Sequence, residues 1–192
     1  MARSVGSLVS FSIAAQVLLS AGLAFLTLYL VDARGIPPAI AAALFGVPQL
    51  AGLVAAPLSG MLSDRFGRPA VLMTALIGSG PAMWLLVSMP IELAAIPLLL
   101  IGACQSFRAT ATEVLIIDNT PAARRSTVLG TYYLVNQPVG GIAAPIFGAL
   151  ADASGIANAF LWLTLAFVAL SLVALAAAAT GAARRRPVSS AA

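Results

Sequence analysis

The 192-residue sequence contains no histidine and no lysine, a single cysteine, and only sixteen charged side chains, ten of them arginine and six acidic. Without histidine the chain cannot supply a histidine-based triad, metal site or proton relay. Its cysteine, Cys104, lies inside an apolar run, so there is no disulfide framework and no indication of redox compartment. A G-x-S-x-G turn and a cluster of metal-ligating side chains are also missing, which leaves hydrolase and metalloprotease chemistry without its residues. No enzyme activity, cofactor or metal is expected. The net charge of +4 would by itself suit a nucleic-acid binder. The arginines, however, fall in short connections and near the C-terminal end, with no basic face and no interleaved aromatics, so no nucleic-acid partner is expected.

What the chain does have is apolar length. Hydrophobic residues make up 61% of it, outside the range of a water-soluble globule. Six segments reach the roughly 20 residues that a bilayer crossing needs: about 8–31, 38–61, 70–89, 93–117, 127–150 and 159–179. The first is too long and too weakly bounded for a cleaved signal peptide, so it counts as a span. The connections are short, and residues 182–192 read as a polar, disordered cytoplasmic tail after a membrane domain over 1–181. Arginine placement sets the orientation. Eight arginines fall on the side of the N-terminus and only Arg34 on the other, so both termini are expected in the cytoplasm. The expectation is a multi-pass all-α protein of the plasma or inner membrane.

Between spans two and three stands Gly60-Met61-Leu62-Ser63-Asp64-Arg65-Phe66-Gly67-Arg68. Glycine at 60 and 67 permits close helix approach and positive φ. Asp64 is placed to accept from a helix N-terminus, while Arg65 and Arg68 hold the connection among headgroups and carboxylates. The ordered set Gly60, Leu62, Asp64, Arg65, Gly67, Arg68 resembles the cytoplasmic loop motif of the major facilitator superfamily, with Pro69 where the family has a further basic residue.

A second pattern is an internal repeat at an offset of 88. Gln49, Gly52, Ala55, Ala56, Pro57, Gly60, Leu62, Asp64 and Gly67 match Gln137, Gly140, Ala143, Ala144, Pro145, Gly148, Leu150, Asp152 and Gly155. Shared membrane composition does not align Gln, Pro and Asp at one offset. The repeat units, about 8–89 and 93–179, each hold three spans, an odd number, so the copies are expected to be inverted: a 3+3 inverted repeat, half of a major facilitator fold. Pro57 and Pro145 are expected to kink spans two and five alike. Leu28-Tyr29-Leu30, the motif after span two and Pro121-x-x-Arg124-Arg125 look like the C-terminal half of such a transporter. The resemblance covers about 10–179.

That resemblance implies a secondary active transporter of a small solute working by alternating access. It also implies a second six-span half: a homodimer partner, a separate chain or a missing N-terminal half. A non-transporting truncated or regulatory membrane subunit is the alternative. In a three-helix repeat of the family the first helix lines the cavity, and polarity agrees. Span four carries Gln105, Ser106, Arg108, Thr110, Thr112 and Glu113, the only span with charges in its interior. Arg108 lies ten residues before Asp118, roughly 15 Å from the cytoplasmic edge, where an arginine must face a cavity or a partner. Gln105 and Thr112 extend its stripe at i−3 and i+4.

The stripe has two readings: a substrate-binding or coupling site, with an anionic solute among its candidates, or a structural lock between helices. Glu113 is either a proton carrier or part of a salt-bridge cluster with Arg65, Arg68, Arg124 or Arg125. Gln16 and Gln105 are pocket donors or interhelical hydrogen-bond partners. Asp64 is a gate latch or a helix cap, and Asp118, Arg124 and Arg125 are expected to form ion pairs at the inner face. Asn136 and Gln137 shape a kink or touch substrate, and Tyr132, Tyr133 and Trp84 read as lipid-interface or packing residues.

Overall fold

In lipid every backbone polar group must be satisfied within its own segment, so long apolar runs become continuous helices. The computed structural model describes the backbone of residues 2–184 and the side chains of 6–136 and 141–180. It contains six long helices, with no strand among the described residues. They are α1 (Ala2–Leu28, continued by a π-helical turn at Tyr29–Ala33), α2 (Pro38–Phe66), α3 (Arg68–Ser88), α4 (Ala95–Asp118), α5 (Arg125–Ser154) and α6 (Ile156–Arg184). Single 3-10 turns at Ile91–Leu93 and Ala122–Arg124 lead into α4 and α5. All six helices are long and apolar enough to cross a membrane.

The helices outrun the apolar segments that announced them, because a helix can carry charged side chains past the hydrocarbon edge at little cost. The motif at 60–68 is therefore not a loop. Residues 60–66 are the last two turns of α2, and the reversal is made by Gly67 alone at φ 89°. Gly155, its counterpart at the offset of 88, makes the same one-residue reversal between α5 and α6 at φ 84°. Only glycine adopts that conformation without strain. Pro69 follows in the first turn of α3, where a missing N–H costs nothing. The first residues of the expected tail, 182–184, belong to α6. The tail from 185 onward lies outside the described residues, as does the side chain of Gln137.

Between membrane helices the hydrophobic effect gives no drive, so close approach of small residues and interhelical hydrogen bonds carry the packing. Helix α4 packs along both α2 and α3, α3 along α6, and α1 along α5; α2 and α3 touch little despite being joined. A Cβ at Gly102 would overlap the backbone of Pro48, so the crossing of α4 on α2 requires glycine there. Beside Gly60, by contrast, the space is open, and its expected close-approach role is not seen. The α3–α6 contact is polar at its centre. Ser171 Oγ donates to the Leu76 carbonyl at 2.9 Å and accepts from the Gly80 N–H at 2.9 Å, bridging an i, i+4 pair of α3 one residue before Pro81.

The apolar core falls in two clusters. One includes Leu26, Tyr29, Leu30, Leu86, Leu98, Phe147 and Phe160, with Tyr29 stacked on Phe160 at 4.1 Å between centroids. The other, nearer the motif, holds Ala15, Val71, Leu72, Leu76, Ala111, Leu115 and Ala174. The π-helical turn ends α1 with Arg34, whose guanidinium donates to the Val87 carbonyl at 2.6 Å, to the Met89 carbonyl and to the Tyr29 hydroxyl.

Candidate functional site

Arg108 is buried, 4% exposed, in the middle of α4. Facing it, one turn apart on α1, are Ser12 and Gln16. The Arg108 guanidinium donates to the Ser12 carbonyl (3.1 Å), to Ser12 Oγ (2.8 Å) and to Gln16 Oε1. Thr112 Oγ1 donates to the Arg108 carbonyl at 2.6 Å and lies 2.8 Å from Ser12 Oγ. Since the threonine proton is committed to that carbonyl, the serine proton must point at Thr112 Oγ1. The bonds thus close a ring with one direction: guanidinium to Ser12, Ser12 to Thr112, Thr112 to the backbone of Arg108. The Tyr132 phenol of α5 adjoins both Arg108 and Ser12.

The sequence left Arg108 facing either a cavity or a partner, in a substrate site or in a structural lock between helices. The structure supplies neutral oxygens of α1. Those bonds engage both terminal nitrogens of the guanidinium without neutralising its charge. Arg108, Gln16 and Thr112 come together. Gln105 lines, with Arg108, Ser79 and Cys104, a small cavity of about 20 Å³ between α1, α3, α4 and α6. Ser12 and Tyr132 were missed as site residues. The signal for Ser12 was its i, i+4 spacing from Gln16; Tyr132 had none that separates it from a lipid-facing tyrosine.

Glu113 does not join the inner arginines. It is half-buried beside Tyr133, within electrostatic reach of Tyr132 and Arg108. Helical geometry explains this: five residues turn Glu113 away from Arg108 and toward α5. Beyond it, a cleft of about 520 Å³ opens between the motif-side ends of α1, α4 and α5, walled by Val9, Ile13, Ile116, Val135 and Tyr132.

The motif forms a second polar centre. Arg68 Nη1 binds Asp64 at 2.6 Å and Arg68 Nε binds Asp118 at 3.1 Å, tying the ends of α2 and α4 to the start of α3. Two expectations change. Asp64 is not a helix cap, since α3 has no side-chain cap and Asp64 is held by Arg68. Asp118 pairs with Arg68 rather than with Arg124 or Arg125, because α4 ends against α3 while the next turn leads away. Arg125 Nε donates to the Thr120 carbonyl at 3.2 Å. Arg65 stands over the Phe66 ring at 5.4 Å.

Six membrane-spanning helices, a buried cation held between two of them and an Asp-Arg-Asp bridge at one membrane face define a polytopic helical membrane protein with an internal polar site. The family model described as Major Facilitator Superfamily matches residues 8–192, and the chain belongs to that transporter family as an integral membrane protein. It is 32% identical over 160 residues to "Multidrug resistance protein MdtG" of Proteus mirabilis (strain HI4320), covering 77% of this chain and 38% of that protein. It is 30% identical over 132 residues to "Na(+), Li(+), K(+)/H(+) antiporter" of Planococcus maritimus, covering 66% of this chain and 30% of that protein. A "Multidrug resistance protein MdtG" of Rahnella sp. (strain Y9602) is 32% identical over 117 residues, 56% of this chain and 26% of that protein. The matches span well under half the length of these relatives.

Proposed function

We propose that the chain is one six-span half of a secondary transporter of the cell membrane, with both termini cytoplasmic, moving a small solute by alternating access. The observation that carries this reading is the polar centre of α1 and α4. A guanidinium is expensive inside a membrane, and here it is held between the first helix of each three-span unit, where a solute pathway would run. The packing supports an inverted repeat. Exchanging α1, α2, α3 for α4, α5, α6 turns the α2–α4 contact into α5–α1 and returns α3–α6 to itself, and all three contacts are substantial. The apolar faces of α2 and α5, with Leu53, Val54 and Met61 on one and Leu134, Ile142 and Ile146 on the other, are exposed. The second half would cover them.

Within this reading Arg108, Ser12, Gln16 and Thr112 form a positively charged wall whose donors are engaged by the protein itself. The engaged donors leave little to hold the anionic solute expected from sequence, and a cationic one would be met by the Glu113 carboxylate rather than by this wall. The relatives' names, one set for drugs and one for monovalent cations and protons, suit that choice. The Asp64–Arg68–Asp118 bridge would act as the latch that holds the inner ends of α2, α3 and α4 together while that face is closed.

The test is uptake of tetraphenylphosphonium by proteoliposomes that hold this chain with its complementary six-span half, under an imposed pH gradient. Gradient-driven uptake that Glu113→Gln abolishes is the expected result. Absence of any gradient-driven flux across a panel of organic and monovalent cations would overturn the proposal.

A further inference from the structure

The motif-side junction of α2 and α3 holds a groove that neither the internal site nor the Arg68 bridge uses. Because α4 takes the main contacts of both helices, α2 and α3 diverge from the Gly67 turn, and α4 shows between them as a floor. The groove, about 220 Å³, is lined by Leu62 and Phe66 of α2, Ala70, Val71 and Thr74 of α3, and Phe107 of α4. Thr74 Oγ1 is turned back onto the Ala70 carbonyl at 2.9 Å, so its one hydroxyl is satisfied and the walls are effectively apolar. Phe107 lies eleven residues before Asp118, so the floor reaches roughly 16 Å below the end of α4 at 1.5 Å per residue.

A cation stands at the mouth. Arg65 lies over the ring of Phe66, which is 63% exposed and forms one wall. Among the described residues the ion pairs of this region consume Arg68, which holds both Asp64 and Asp118, and leave Arg65 without a carboxylate. Successive helical residues diverge by about 100°, so Arg65 points away from Asp64. One site thus presents an apolar slot running into the hydrocarbon layer and an unneutralised guanidinium at headgroup level.

We propose that this groove is a binding site for an anionic phospholipid: one acyl chain lies between α2 and α3 on Phe107, and the phosphate rests on Arg65. Guanidinium binds phosphate through two parallel N–H donors, and its contact with the Phe66 ring keeps it beside the slot. The apolar length selects a lipid over a soluble phosphate. The site needs neither the second half nor transport, so it stands or falls apart from the function proposed above.

The test uses the chain in detergent, delipidated and then given equal amounts of phosphatidylglycerol and phosphatidylcholine of the same acyl chains. Lipid retention is read by native mass spectrometry. The expected result is one retained phosphatidylglycerol per chain, preferred by about fivefold, the scale of one arginine at an anionic surface. Arg65→Gln, at an exposed position, should leave monodispersity unchanged and remove the headgroup preference while lipid still binds. Ala70→Trp should fill the slot and remove retention of both lipids. Inorganic phosphate at the same concentration should not displace the lipid. Equal retention of the two lipids by the unaltered chain, a preference that survives Arg65→Gln, or displacement by inorganic phosphate would each overturn the proposal.

Discussion

At the scale of single residues, Arg108 shows how a membrane protein keeps a charge indoors. Its donors are matched to oxygens on another helix, and the ring through Ser12 and Thr112 fixes their orientation. Removing Ser12 Oγ leaves a buried guanidinium short of an acceptor, which costs about 1–3 kcal/mol. Ser12→Ala should therefore lower thermal stability in detergent. Arg108→Gln and Ser12→Ala combined should deviate from additivity by about 0.5–3 kcal/mol, as contacting residues do. Additive effects would show that the two side chains do not depend on each other. Arg108→Lys keeps the charge but loses the planar fork that meets Ser12 and Gln16 together, so it should resemble Ser12→Ala in stability rather than the native chain.

The polar residues of this centre were legible one by one, since Arg108, Gln16 and Thr112 interrupt runs of Leu, Ile and Ala. Their association was not. Arg108 and Ser12 are 96 positions apart, and no periodicity within either span says which faces will meet. The inner face gave the opposite error. Asp118 was named with Arg124 and Arg125 for ion pairs at that face, whereas the ion pair it makes, with Arg68, crosses 50 positions and depends on α4 ending beside α3.

At the scale of helices, two contacts carry specific expectations. Ser171 bridges Leu76 and Gly80 within α3, beside a proline that has already removed one backbone donor. Ser171→Val places a methyl against the Gly80 N–H, while the Leu76 carbonyl keeps its bond from Ser79 Oγ at 2.7 Å. It should cost about 1–3 kcal/mol, read as a lower melting temperature and faster amide exchange around Gly80. Gly102→Ala pushes a methyl into the backbone of Pro48, and overpacking of that kind costs about 1–3 kcal/mol; Gly60→Ala, beside open space, should cost far less. The Asp64–Arg68–Asp118 bridge behaves differently, because its carboxylates are 73% and 50% exposed. Ion pairs in that setting are worth little, about 0–1 kcal/mol. Asp64→Asn should leave melting temperature nearly unchanged, and a drop in transport by the assembled protein would then report gating rather than folding. The one-residue turns at Gly67 and Gly155 were foreshadowed by the repeat. The helical state of residues 60–66 was not, since charge in a sequence marks the membrane edge and not the end of a helix.

At the scale of the whole molecule, the six spans and the inverted order proposed for them make a topological prediction. In a Cys104→Ser background, cysteines introduced at Ser126 and Asn158, both exposed, should react with an impermeant maleimide from opposite membrane faces, with Ser126 on the cytoplasmic one. Reaction of both from one face would remove the inverted repeat. Arg34 adds a mechanical consequence. By gripping the last carbonyls of α3 it fastens the far end of α1 to its neighbour, while at the motif side α1, α4 and α5 stand apart around the cleft. The half is thus a lever with one end bolted. Bending of α1 against α3 should concentrate toward the motif, and at the other rim the two helices should travel as a single body. Spin labels on α1 and α3 near Arg34 should hold one separation through the transport cycle, and labels near Gly6 and Arg68 should report two.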